Sequence, residues 1–352
     1  MYPRVEINLS SIKHNLETLI VRCKKIDIDV VAVVKLVCGD PTIIDMIAKS
    51  AISTIADSRL ENFEKIVDLK IPKMMLRIPM LSQVNKLVDL TDISLNSEIE
   101  TIRKISEAAS NNGKVHQIIL MIDLGDLREG IIDDDILDST ITEVINLEGV
   151  NLLGIGANLC CFGGVIPSEE NMRNLVKIKH YIKRKHNINI TIVSGGNSGT
   201  IKLLTEKKIP IEINQLRLGA SIFMGIGLND EKISGLKHDA FTLSVEIIEI
   251  MYKPSVPIGE TGLDAFGEKP IFEDMGIRKK AICAIGRQDI QLKNLVPFDE
   301  HIKVLGMSSD HLILDISETK NTYKLGGKVN FELSYAGILS LMTSKYVNKV
   351  YL

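Results

Sequence analysis

Tryptophan is absent from this chain of 352 residues, and aromatic residues together make up only 4%. So few flat side chains offer no stacking platform for nucleobases, which argues against single-strand nucleic-acid binding. Cysteine is also sparse: Cys23, Cys38, Cys160, Cys161 and Cys283 form an odd set of five without the paired spacing of a disulfide framework or metal site. The neighbours Cys160 and Cys161 read as packing, since adjacent cysteines make an unusual disulfide. Neither sign of charge dominates, because 42 basic and 45 acidic residues leave a formal net charge of −3. A nucleic-acid or membrane surface is therefore not expected. The opening segment MYPRVEINLSSIKHN has neither the apolar core of a signal peptide nor a membrane span. These absences predict a metal-free protein of the reducing cytoplasm.

What is present reads as ordinary globular material. Hydrophobic residues make up 45% and charged residues 25%, and the length suits two domains or one barrel with an appended module. From residue 29 to about 230, eight short β-branched runs alternate with longer amphipathic segments. The runs are 29–35, 53–57, 73–78, 92–96, 115–123, 151–159, 188–196 and 212–218. Between them, SEIETIRKISEAASNN (97–112) sets Ile99, Ile102, Ile105 and Ala109 on one helical face. Ser97 followed by Glu100 has the spacing of a capping box that would start this helix. Eight strands alternating with helices predict an α/β fold, a (β/α)8 TIM-type barrel over 1–235, with a doubly wound sheet as the alternative. After about residue 236 come FTLSVEIIEIMYK, KKAICAI, HIKVLG, HLILDIS and KVNFELS, strand-like runs separated by turn residues and without long helices. Residues 236–352 are expected to form a separate β-strand-rich domain.

Several residues fall where a barrel concentrates its chemistry, at the C-terminal ends of the strands. Lys35 ends the first run. A strand-end lysine is ordinarily a solvated charge, but one flanked by VVAVV can be desolvated into an amine nucleophile. The segment SGGNSGT (194–200) follows the seventh run, and Arg217-Leu218-Gly219-Ala220 ends the eighth. A Gly-Gly-Asn run can be a plain turn. In a barrel, however, the loops after strands seven and eight often hold phosphate, and a helix starting at Ser198 would aim free N–H groups at a dianion. Arg128, just past the fifth run, is either a surface charge paired to Asp126 or Glu129 or a fork for a substrate carboxylate. Asn158, at the end of the sixth, caps a loop or hydrogen-bonds a cofactor ring.

With these residues in place, the chain resembles the alanine-racemase superfamily over nearly its whole length. AVVK (32–35) is similar to the family's Schiff-base lysine strand, and DLGDLREG (123–130) to its Asp-x-Gly-x-x-Arg-x-Gly segment. GIGANL (154–159) carries Asn158 where the family has a histidine. Ser194, Gly195, Gly196, Asn197 and Ser198 resemble the phosphate loop, and Arg217, Gly219 and Ala220 the Arg-Pro-Gly motif. GMSSDH (306–311) resembles the segment that reaches the neighbouring subunit's site. Blocks such as VKLVCGD, ADSRLEN, LRIPM and GGVIPSEEN look most like the ornithine-racemase branch. The resemblance implies pyridoxal 5'-phosphate (PLP) held on Lys35, Arg128 and Ser309 near the substrate, Arg217 toward the pyridine nitrogen, and a homodimer with shared active sites. It also exposes departures. The family's catalytic tyrosine falls at Arg287 in Gly286-Arg287-Gln288-Asp289, no tyrosine follows Lys35, and Met121 stands at the carbamylated-lysine position.

The implied activity is racemisation of a free amino acid, ornithine first, with alanine, lysine or a broader set as alternatives and a PLP-carrier protein as the reading of another class. Lys35 can serve one face of Cα, so a second proton carrier is required. Asp310 and His311 are the expected catalytic candidates, with Cys283 behind them. A buried distal ammonium would need an acidic partner, for which Asp126, Glu260, Asp264 and Asp289 are candidates.

Overall fold

The computed structural model describes residues 1–352. They divide into two compact units, Ser10–His238 on one hand and Met1–Leu9 with Asp239–Leu352 on the other. The chain opens on strand β1 (Arg4–Ile7) of the second unit and then enters the first. There, β2 (Asp29–Val33), β3 (Thr54–Asp57), β4 (Lys73–Met75), β5 (Ile93–Asn96), β6 (His116–Met121), β7 (Val150–Ala157), β8 (Ile192–Gly195) and β9 (Gln215–Leu218) close into a parallel barrel. Seven fall within the apolar runs, and β7 begins one residue before its own. Closure is made by β9 pairing with β2, Arg217 lying opposite Val31, which excludes a doubly wound sheet.

These strands are legible as apolar runs because a barrel strand is covered on both faces, by the interior and by the helices outside. Val31, Val33, Ala56, Met74, Ile93, Leu95, Ile119 and Met121 form one buried cluster. Met121 is thus core, and the carbamylated-lysine position is filled by a thioether. The helix expected over 97–112 spans Ile99–Asn111 and buries Thr101, Ile102, Ile105 and Ala109. Its capping box does not form: β5 runs to Asn96, Ser97 is used in the turn, and Glu98 takes the cap position without a side-chain bond. A capping box does head the helix Glu169–His186, between Ser168 and Asn171.

The second unit holds β10 (Phe241–Pro254), β11 (Ile277–Cys283), β12 (Leu295–Pro297), β13 (Lys303–Met307), β14 (Leu312–Asp315), β15 (Lys328–Leu333) and β16 (Asn348–Tyr351). With β1 they make an eight-stranded sheet in which β12-β15-β10-β11-β14-β13 are successive neighbours. The barrel expected over 1–235 therefore begins later than the sequence texture indicates. β1 pairs antiparallel with β10 and parallel with β16, which assigns residues 1–9 to the sheet. Four residues of alternation whose partners lie more than 230 positions downstream give no local signal. The helix Tyr335–Thr343 is likewise unexpected: YAGILSLMT has no polar face to show a helical period, and Ser334 caps it by accepting from Gly337 N–H at 3.1 Å. No helix is long and apolar enough to cross a membrane.

Candidate active site

Lys35 does not lie within the strand but opens a short helical turn, Lys35–Val37, just past the C-terminal end of β2. The turn is fixed by its neighbours. Leu36 and Val37 are buried, Cys38 is left-handed, and Gly39 has φ +63° with Asn62 so close that a Cβ would sit 2.7 Å from it. The Lys35 ammonium makes no hydrogen bond or ion pair. Burial pulls it below its ordinary pKa; Cys161, Asp57 and Glu129 oppose that fall and Arg128 adds to it. An amine so placed is easily neutralised, the state in which it is nucleophilic.

The loops after β8 and β9 are tied together at Ser198. Its hydroxyl accepts from Ser221 N–H at 3.0 Å and Gly219 N–H at 3.3 Å, and lies 2.9 Å from the Ser221 hydroxyl. Helical turns start at Ser198 and Ala220, so their amides find no acceptor within those turns. Gly196 has φ +100°, a conformation that lets the backbone leave β8 sharply. Asn197 accepts from Gly199 N–H and donates to the Asn158 side-chain oxygen at 3.1 Å, which leaves Asn158 Nδ2 buried and unpartnered. Ser194, Arg217 and the end of β7 form a third knot. Arg217 is 4% exposed, donates to the Ser194 hydroxyl and to Ala157 carbonyl at 2.6 Å, and pairs with no carboxylate. Burial pulls its pKa down to about 10, partly opposed by Glu129, and it remains protonated at neutral pH.

Arg128 engages both oxygens of Glu129 through Nε and Nη2, and its Nη1 meets Cys161 Sγ. Burial opposes its charge, but the Glu129 carboxylate prevails and raises its pKa above the ordinary arginine value. Asp126 is 1% exposed and accepts the backbone N–H groups of Cys161, Phe162 and Val165. Those bonds outweigh burial and hold its pKa below the ordinary value. It organises the Cys161–Val165 loop and has no oxygen to spare, so it is not a partner for a substrate ammonium as the sequence suggested.

Sequence reasoning missed Asp57. This fully buried residue ends β3, the strand beside Lys35's, and accepts from Ser58 N–H, Arg59 N–H and Asn62 Nδ2. Burial pushes its pKa up to about 6, against those bonds and the charge of Lys35. Arg77 Nε and Asn96 Oδ1, at the ends of β4 and β5, are also buried and unpartnered. The available signal was positional, a polar residue where each strand ends.

In the second unit, the two motif segments meet each other. Arg287 N–H donates to Ser308 carbonyl at 2.9 Å and Gln288 N–H to Ser309 carbonyl at 3.0 Å. Gly286 is pressed so closely that a Cβ would lie 2.2 Å from Asp310 N. Asp310 and His311 form a 2.7 Å pair in the turn between β13 and β14, with Ser308 and Ser309 hydroxyls at 3.3 Å from Asp310. Arg287, at the tyrosine position, lies 4.0 Å over the Phe266 ring and bonds Glu268 at 3.1 Å. Asp289 accepts from the Ser344 hydroxyl at 2.6 Å, and Asp264 from Phe266 and Glu268 N–H.

The alanine racemase N-terminal domain family matches residues 7–226. This chain belongs to that family. An ornithine racemase of Acetoanaerobium sticklandii is 42% identical over 350 residues, 99% of each chain. A lysine racemase of Thermotoga maritima is 38% identical over 354 residues, covering 100% of this chain and 99% of its own. Among solved structures, an alanine racemase of Bartonella henselae with covalently bound pyridoxal phosphate superposes with a TM-score of 0.78 at 17% identity, covering 100% of both chains. That identity is low, so the superposition bears on the fold: a family barrel with a separate antiparallel sheet. The residues of this member fit PLP. It has an unbonded amine, an unpartnered Asn158 donor, a buried arginine without a counter-ion, and two helical-turn starts joined through Ser198.

Proposed function

We propose that this family member is a PLP-dependent racemase that interconverts L- and D-ornithine, lysine being its second substrate. The observation that carries the reading is Lys35, a half-buried, unbonded amine just past the C-terminal end of β2 and within electrostatic reach of Arg128. The 42% identity to an ornithine racemase and 38% to a lysine racemase supports both the reaction and a diamino acid as substrate. PLP when bound supplies an electron sink that acidifies the substrate's Cα–H. Ser198 and Ala220 amides, with Ser194, Gly195, Gly196, Asn197 and Gly219 shaping the loop, would hold its phosphate. Asn158 Nδ2 and Arg217 would meet its ring, the arginine donating a hydrogen bond to the ring nitrogen without giving up its proton.

Lys35 then takes or returns the proton on one face of Cα, while the Arg128 fork holds the α-carboxylate, with the partner subunit's Ser309 beside the substrate. Inversion requires a second carrier on the other face. We assign it to Asp310 or His311 of the partner subunit in a homodimer, where a two-fold axis closes both sites together. Five unpaired cysteines suit a cytoplasmic location. The test is chiral analysis of purified, PLP-supplemented protein with L-ornithine, L-lysine and L-alanine. D-ornithine should form fastest, and Lys35→Ala should lose both the visible cofactor absorbance and the activity. Faster turnover of alanine would overturn the substrate assignment, and an active Lys35→Ala enzyme the catalytic one.

A further inference from the structure

Four carboxylates lie around the ends of β3 and β6, and three are consumed by their own surroundings. Asp57 accepts two backbone N–H groups and Asn62, Asp123 accepts from Gly125 and Leu127 N–H, and Asp126 accepts from the Cys161–Val165 loop. The fourth, Glu129, is bonded only to Arg128, and it takes up that residue's fork from both sides. Its side chain is 16% exposed, against 37% for Arg128. Its charge reaches Lys35 and Arg217 as well. Glu129 is also held in place. Gly130, at φ +133°, would put a Cβ 2.4 Å from Asp123 N, and Ile131 is stapled to β6 through Met121 carbonyl and Asp123 N–H.

Glu129 occupies the Nε/Nη2 edge of the guanidinium, one of its two bidentate edges, and the other edge faces Cys161 Sγ. A substrate carboxylate that takes the Nε/Nη2 edge displaces Glu129. A mostly buried carboxylate stripped of its partner is unfavourable unless another cation replaces it. A diamino acid brings that cation on its own side chain. Alanine or norvaline does not, and leaves Glu129 unpaired, which disfavours those substrates. We propose that Glu129 is the specificity-determining residue of the site, exchanging Arg128 for the distal ammonium of a diamino acid as substrate binds. The inference rests on the racemase reading above and names the group that reads the substrate's far end.

The experiment compares ornithine with norvaline, which has the same chain length without the ammonium, in the holoenzyme and its Glu129→Gln variant. The ratio of kcat/KM for ornithine over norvaline should fall about 10- to 100-fold, the worth of one charge-assisted contact. The same fall should appear in the ratio of the Michaelis constants, norvaline over ornithine, because the exchange takes place on binding: Glu129→Gln should raise KM for ornithine and not for norvaline. An unchanged ratio in both measurements, whether both substrates suffer equally or neither does, overturns the proposal and leaves Glu129 as a support for Arg128. Wild-type protein that racemises no amino acid would instead overturn the reading beneath it.

Discussion

Asp57 makes the stability of the barrel depend on pH in a direction opposite to that of most carboxylates. Its value in the fold is about 6, raised by burial above the ordinary 3.8. The native state therefore binds the Asp57 proton more tightly than the unfolded chain. The stabilisation is complete below pH about 4 and is lost as pH rises through about 6. The gap corresponds to about 3 kcal/mol, at 1.36 kcal/mol for each tenfold change in proton affinity. Asp57→Asn removes the ionisation and keeps an oxygen for the Ser58 and Arg59 N–H groups. Its amide must share space with Asn62 Nδ2, now 3.0 Å from both Asp57 oxygens, which adds a constant penalty independent of pH. Urea unfolding of wild type and Asp57→Asn, measured from pH 4 to pH 8, separates the two effects. The variant should gain about 2.5 kcal/mol relative to wild type between pH 4 and pH 8. A stability difference that stays flat from pH 4 to 8 would refute the raised value and the burial argument behind it.

Two further outcomes follow from groups whose partners are fixed. Asp126→Asn turns one acceptor into a donor facing the N–H groups of Cys161, Phe162 and Val165, so it should destabilise by roughly 2–4 kcal/mol; faster iodoacetamide labelling of Cys161 would report the loosened loop. Mixing Lys35→Ala with His311→Ala under subunit exchange should recover about a quarter of wild-type activity if each site draws on two chains, and no recovery despite proven exchange would place both groups in one chain.

The barrel is legible in the sequence because its eight strands are covered on both faces and so read as continuous apolar runs. Lys35 and the Ser198 loop were singled out by the same logic, as polar residues where those runs stop, and Arg217 as a cation within the last of them. β1 was not, because four residues paired across the whole length of the chain carry no local pattern. The helix Tyr335–Thr343 was hidden by being apolar all round. Asp126 illustrates a different limit. A sequence shows that a carboxylate is present, but not that neighbouring amides have already used it. Asp57 was overlooked for the converse reason, since a strand-end acid resembles the start of any solvated loop, whereas Glu129 was named as a pairing partner of Arg128 and is one.

The charge balance of the mouth joins these observations. Lys35, Arg128 and Arg217 converge there, and the acids within their reach are already engaged: Glu129 by Arg128, Asp126 by the Cys161–Val165 amides, and Asp57 by Ser58, Arg59 and Asn62, with burial raising its pKa to about 6. Arg217 in particular is buried with no anionic partner and still retains its charge, a situation that folding alone disfavours. A barrel built only for stability would pair that charge with a carboxylate or replace it with aliphatic packing. A buried arginine left without a carboxylate is instead a donor that a cofactor's ring would engage on arrival. Lys35 is pushed toward its neutral form by burial first, with Arg128 adding to it against the charges of Cys161, Asp57 and Glu129. The mouth thus holds an amine that burial prepares to react beside a buried arginine without an anionic partner, a cost that a bound ligand would offset.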